Sequence, residues 1–303
     1  MVYRILLLCL LPIGILSQTF FEQHRFGGGG SQPGQFKDPQ ALTVNSAGLV
    51  YVVDSGNHRL QIFDRQGKLI KTVGGFGFQG EQFNYPMDIW TKSIINVYVS
   101  DYNNRRVQRF DRNMNYISSL ESNPGAVTDY QFDEVLSCAV NAQQDLFLLD
   151  RGDSKIIKFN RNGSAERAFG HYASGIGRLK EPGQLEIWQE QRLVVSDVGL
   201  QALIQFDFFG NFLRQSSHKQ MIHPRGIDVL KDGQALVTDS DSGALFISNQ
   251  QITSFKPVVV HNPDAEFYPV DVAAWQSPKE NQQIKCELFI ISGNWIIKGY
   301  LVF

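Results

Sequence analysis

Cysteine, surplus positive charge and long apolar runs are all scarce in this chain. Only three of its 303 residues are cysteines, and Cys9 lies in an apolar N-terminal stretch, so a folded domain would have just Cys138 and Cys286. Lys and Arg number 28 against 30 Asp and Glu, a formal net charge of −2. That balance lacks the basic excess of a phosphate-binding surface and removes nucleic acid from the expected partners. The one long apolar run, Ile5 to Leu16, is about twelve residues broken by Pro12 and Gly14, short of the ~20 needed to span a bilayer. With Arg4 before it and Ser17 after it, the run has the layout of a secretory signal peptide. The expectation is a leader at residues 1–17, no transmembrane segment once it is removed, and a domain over 18–303 that is extracytoplasmic, either periplasmic or secreted.

Several signatures of catalysis are missing too. The six histidines, His24, His58, His171, His218, His223 and His261, include no His-x-x-x-His pair of the kind that holds zinc. No Gly-x-Ser-x-Gly string or paired Cys and His arrangement offers a nucleophile.

What the chain has in abundance is repetition. FKDPQALTV (36–44) is followed by a Gly-containing turn, LVYVVDSGNHRLQIFD (49–64) and RQGKLIKTVGG (65–75), and the same order returns from Phe83, Phe132, Leu179, Met221 and, more weakly, Phe267. Asp54, Asp101, Asp150, Asp197 and Asp239 mark equivalent positions at steps of 47, 49, 47 and 42 residues, and Ser292 takes the sixth place. Within each copy, short runs of Val, Ile, Leu and Phe are separated by Asn, Asp and Gly, which is strand-and-turn chemistry. A period in the forties with about four strands per unit marks a propeller blade, because one four-stranded sheet buries both faces only when neighbours stack on it. The predicted fold is all-β: a six-bladed β-propeller of four-stranded antiparallel blades. The sixth copy ends after three strands, and FFEQHRFGG (20–28) resembles the outer strands of other copies. The N-terminal strand is therefore expected to complete the last blade and close the ring. Cys138 and Cys286 then fall three blades apart, too far for a disulfide.

The stretch from Pro39 to Gly75 resembles an NHL repeat, named for a triplet that stands here as Asn57-His58-Arg59. The next copy has Asn103-Asn104-Arg105-Arg106 in its place, and later copies drift further. The resemblance extends over about residues 20–303 and implies a six-bladed propeller. It does not imply one function, since NHL-like propellers include protein-binding modules, RNA-binding domains and an amidating lyase, and other six-bladed propellers hydrolyse lactones.

The repeated Asp is followed five residues later by a cation in three copies: Asp54 and Arg59, Asp101 and Arg106, Asp150 and Lys155. A pair recurring at every turn reads as a structural bridge. Asp197 and Asp239, which face Ala202 and Ala244 instead, are expected to cap turn amides. Arg151-Gly152-Asp153 lies in a repeat turn and reads as an incidental string, while Asn162-Gly163-Ser164 is a glycosylation sequon in an exposed hairpin turn that matters only in a eukaryotic host.

The innermost strands sort into columns. Leu42, Ile89, Cys138, Leu185, Ile227 and Val272 form an apolar column that faces neighbouring blades. The column before it (Ala41, Asp88, Ser137, Gln184, Gly226, Asp271) and the column after it (Thr43, Trp90, Ala139, Glu186, Asp228, Ala273) depart from the small residues usual near a propeller axis. Asp88, Gln184, Glu186, Asp228 and Asp271 are thus the candidate ligand-binding residues at the channel mouth. No cofactor is expected, although such a set of oxygens could hold Ca²⁺. The functional expectation is a monomeric scaffold that binds a protein, peptide, glycan or small ligand, with recognition loops at Glu121 to Tyr130, Phe169 to Lys180 and Ala274 to Lys285. The alternative is a metal-dependent hydrolase or lyase acting at the channel.

Overall fold

A computed structural model describes residues 18–92, 95–261, 267–276 and 284–302. The expected leader at 1–17 and the centre of the third expected loop, 277–283, lie outside the described residues. Six sheets are arranged in a ring. Their first, innermost strands are Pro39–Val44, Pro86–Trp90, Val135–Val140, Pro182–Trp188, Pro224–Val229 and Pro269–Trp275. Each of these contacts the first strand of both neighbours, so the ring is closed around an axial channel.

Blades one to five are antiparallel four-stranded sheets in chain order, as the turn chemistry predicts. In blade six the strand Thr19–Gly27 pairs antiparallel with Trp295–Val302, placing the N-terminal segment where the repeat arithmetic puts it. One feature goes beyond that expectation. The outer edge of Thr19–Gly27 is itself capped by a short parallel strand, Val259–His261, from the connection between blades five and six. The start of the latch's outer edge, Thr19 to Phe21, is thereby covered against pairing with another chain.

Inner strands carry a register irregularity near their start in every blade, for example between Pro39 and Ala41, Pro86 and Asp88, and Pro269 and Asp271. Pro at the first strand position has no amide to offer the ladder, and the bulge that follows re-aims the next side chains. Those are the residues of the polar column.

The repeated acids stitch blades to their linkers. Asp54 accepts hydrogen bonds from Lys37 N at 2.7 Å and Arg59 Nε at 2.7 Å, and Asp101 from Asn84 N at 2.8 Å and Arg106 Nε at 2.8 Å. Asp197 and Asp239 cap amides, as expected; Lys180 N donates to the first at 2.7 Å and Ile222 N to the second at 2.6 Å. In the third copy the expected bridge is replaced: Lys155 Nζ pairs with Asp153 at 2.7 Å, while Asp150 is occupied by the amides of Asp133 and Glu134. A Lys tip has none of the fork geometry with which Arg59 reaches Asp54 and three linker carbonyls at once. Cys138 and Cys286 are buried and not disulfide-bonded.

Candidate functional site

Strand direction sets two faces. Inner strands all start at one face, here called the upper, which also carries the turns between second and third strands and the linkers between blades. The five candidate residues divide along the axis into two tiers rather than converging on one point.

The tier nearer the upper face holds Asp88, Gln184 and Asp271 with Ser137. Ser137 Oγ donates to Asp88 Oδ2, and Gln184 Nε2 donates to Asp88 Oδ1 at 3.2 Å. These side chains also collect amides from the next blade round the ring. Leu185 N donates to Ser137 Oγ at 3.1 Å, Ile227 N to Gln184 Oε1 at 2.5 Å, and Leu42 N to Asp271 Oδ2 at 2.8 Å. Inner strands have one edge without a ladder partner, and their buried amides need acceptors. The polar column supplies them, clamping blade to blade. Blade five has no side chain here because none fits: a Cβ on Gly226 would stand 2.6 Å from Asp271 Cα.

The lower tier holds Glu186 and Asp228. Lys92, two residues past the end of its inner strand, crosses the channel and donates to Glu186 Oε2 and Asp228 Oδ1, each at 2.8 Å. Asp228 Oδ2 also accepts from Ala274 N of blade six at 2.6 Å. An ammonium thus already sits between the two acids that the Ca²⁺ expectation draws on. Among the described residues, no group of three or more His, Cys, Asp or Glu is placed to hold a metal ion. Adding Ca²⁺ to chelator-treated protein is expected to leave its Tm unchanged. A rise that Asp88→Asn and Asp228→Asn abolish would instead establish cation binding, since a ligand at 100 times its Kd adds about 2.7 kcal/mol.

Burial governs the acids. It pushes Asp88 above the usual carboxylate range against the pull of Ser137 and Gln184, and it raises Glu186 against the attraction of Lys92. Asp271 is raised furthest: it is buried, its Oδ1 lacks a hydrogen-bond partner among the described residues, and the charges of Asp88 and Asp228 lie near it. Burial works against the Lys92 charge, but its two acids outweigh that and hold it protonated. An acid whose folded pKa is raised retains its proton where the unfolded chain has lost it, so its contribution to stability falls as pH climbs from about 3.9 toward the raised value. Asp271→Asn should therefore flatten the decline in stability between pH 4 and pH 8 while costing under about 1 kcal/mol at pH 8. Urea melts across that range check this; an unchanged slope would show that Asp271 is ionised in the fold.

Above the upper tier lies a cavity of about 250 Å³ on the axis. Its lip is the ring of residues just before the polar column, including Gln40, Met87 and Arg225, and Arg151, Glu181 and His223 stand beside them. A relay crosses three blades here: Tyr85 Oη donates to Asp38 Oδ2, Gln40 Nε2 donates to Asp38 Oδ1 at 2.6 Å, and Arg225 Nη2 donates to Gln40 Oε1. Burial and the Asp38 hydrogen bond push the Tyr85 phenol up to about 12.

Lys92, Arg225 and Arg151 were not legible as site residues. Lys92 lies beyond the column count that ended at Trp90, and Arg151 reads in sequence as part of an incidental triplet. A signal for Arg225 exists, because it occupies the position just before the polar column, where other copies have Gln, Met, Leu, Gly and Val.

The upper-face linkers carry exposed apolar side chains. Among the described residues, five of the six most exposed large apolar side chains, Ile176, Tyr172, Val127, Phe78 and Phe76, stand on upper-face linkers, and the sixth, Phe209, is on the opposite face. Two of the three expected recognition loops supply Val127, Tyr172 and Ile176. The third, at 274–285, has its centre outside the described residues, and its flanking strands Pro269–Trp275 and Ile284–Ser292 meet it at the lower face.

Comparison with known proteins agrees with the repeat. Residues 36–63 match the NHL repeat family. Human NHL repeat-containing protein 3 is 44% identical over 50 residues, 16% of this chain and 14% of that protein. The B-box type zinc finger protein ncl-1 of Caenorhabditis elegans is 39% identical over 54 residues, 18% of this chain and 6% of that protein. The match thus spans a small part of these curated relatives' length. Among solved structures, a streptogramin B lyase superposes with a TM-score of 0.62 at 11% identity, covering 94% of this chain and 98% of that one. The WD40 propeller domain of Doa1 gives 0.64 at 11% identity, covering 92% and 96%. At these identities the likeness is one of fold.

Proposed function

The chain is an NHL-repeat six-bladed β-propeller, and on that basis we propose that it is an exported binding module that takes a protein or peptide ligand on its upper face. The observation that carries this reading is that exposed apolar side chains stand on several linkers of the upper face, the same face on which the charged axial mouth opens. Aromatic and aliphatic anchors surrounding a polar centre are what a recognition face needs, and loops on a rigid disc are where binding residues concentrate. Tyr172 is further braced by Arg178, whose guanidinium lies 4.3 Å from the ring centroid. Export rests on the leader signature of residues 1–17.

Most oxygens of the acids deeper in the channel, Asp271 Oδ1 apart, are committed to amides, to Ser137 and Gln184 or to Lys92, which favours binding over turnover. A hydrolase or lyase would need several of them turned toward one substrate atom. The test is selection of a displayed peptide library on the protein from residue 18 onward. Recovered peptides should bind at least tenfold more weakly to a Phe76→Ala, Phe78→Ala, Tyr172→Ala variant that melts like the parent. Recovery of no peptide, or of peptides indifferent to the triple variant, would overturn the reading.

A further inference from the structure

The mouth contains an arginine held in place without a carboxylate at salt-bridge distance among the described residues. Arg225 is half-buried at the lip of the axial cavity, and the described hydrogen bonds of its guanidinium use Nη2 alone, toward Gln40. Gln40 is fixed in turn by Asp38, and Asp38 by Tyr85. Three blades therefore position one side chain, leaving most of its five N–H donors for something else. Arg151 lines the same cavity from blade three, close enough for its charge to act against that of Arg225. Two cations that repel each other across a small cavity are stabilised by an anion between them.

Two of the competing acids, Asp38 and Asp88, are occupied by other donors. Asp38 lies near Arg225 but spends both oxygens on Tyr85 and Gln40. Asp88 on the floor is capped by Ser137 and Gln184. Asp271 lies near Arg225 without reaching salt-bridge distance; its Oδ2 is taken by Leu42 N, its Oδ1 has no hydrogen-bond partner among the described residues, and burial raises it above the usual carboxylate range. His223 faces Asp241 at 3.3 Å, and Glu181 stands exposed at the outer lip.

We infer that Arg225 and Arg151 form a carboxylate-binding site, and that the ligand of the upper face is anchored by an acidic side chain entering the axial mouth. This rests on the peptide-binding reading and supplies its specificity. The volume suits the assignment: about 250 Å³ is below the range of drug-sized pockets and admits a fragment such as one side chain. A planar carboxylate matches the guanidinium fork and accepts two parallel hydrogen bonds from it. Asp88, Gln184 and Asp271 then act as the floor that fixes how far the side chain enters.

The experiment uses small probes, so that it is independent of any selected peptide. N-acetyl-glutamic acid α-amide, its glutamine counterpart and inorganic phosphate are titrated into the protein, with binding followed by calorimetry and by thermal shift at high probe concentration. The acid should bind and raise Tm, and the neutral amide should not. Affinity for the acid should fall about tenfold or more in Arg225→Gln and in Arg151→Gln, the scale of one lost charge-assisted pair. Arg151 is exposed in a turn, so its variant keeps the test valid if Arg225→Gln fails to fold. Equal behaviour of acid and amide, an acid effect that survives the Arg151 substitution, or tighter binding of phosphate than of the carboxylate would overturn the assignment. Selected peptides that bind the upper face without an acidic residue would overturn it while leaving the binding-module reading intact. Acid binding with no peptide recovered would do the reverse.

Discussion

Deleting Thr19 to Gly28 from the protein that starts at Gln18 is expected to lower Tm by more than about 10 °C or to make the chain insoluble. The segment is the outer strand of the last blade, paired along its length with Trp295–Val302. Phe20 is fully buried in the cluster formed by blades five and six, against residues that include Leu245, Leu288 and Leu301. Loss of a buried Phe alone costs about 3–5 kcal/mol. The deletion also strips the ladder from the third strand of blade six and removes the partner of Val259–His261. Two edges would then be open where the intact ring has them covered, which invites intermolecular pairing. Size-exclusion chromatography and a thermal melt of both proteins decide the matter. A truncated chain that stayed monomeric and melted with the parent would mean that the ring closes without its N-terminal strand.

Lys92→Met is expected to cost about 2 kcal/mol at pH 7.5 and far less at pH 4. Breaking a fully buried ion pair from one side costs about 3–5 kcal/mol. The Lys92 side chain is 35% exposed, so solvent screening lowers the expectation here. Without the ammonium, Glu186 and Asp228 are left facing each other across the channel. Glu186, already raised by burial, would rise further on losing its counter-charge. A raised acid destabilises the fold as pH climbs above the ordinary Glu value of about 4.3, because the unfolded chain gives up its proton first. The deficit must therefore open between pH 4 and pH 7.5. Urea melts of both proteins at the two pH values measure it. An equal deficit at both would mean that Lys92 acts through packing of its stem, and no deficit at pH 7.5 would mean that the bridge is not formed in solution.

Much of the scaffold was legible because its information is local. Alternation with period two marks each short strand, Asn, Asp and Gly mark the turns, and spacing of the repeated Asp counts the blades. Columns on the inner strands followed from the same alternation, so the buried Leu42, Ile89 and Cys138 column and the axial positions of Asp88, Gln184, Glu186, Asp228 and Asp271 could be assigned without coordinates. The failure at Lys155 was also local. The repeat position was read correctly, but the nearer Asp153, inside the same turn, took the ammonium.

Strand alternation alone settles which residues point at the axis, and closure of the ring settles which of them meet. Lys92 finds Asp228 across 136 residues, and Arg225 finds Gln40 across 185. Such pairs are set by ring closure, which brings blades two and five to opposite positions and blades one and five within reach across blade six, positions that no periodicity encodes. The acids that look in sequence like one cation site are parted by their place along the strand. Each is then claimed by the nearest donor: an amide left without a ladder partner at the inner edge, or the one ammonium that reaches across the channel. Buried polar groups must be satisfied by whatever the closed ring puts beside them, and that choice is made in three dimensions.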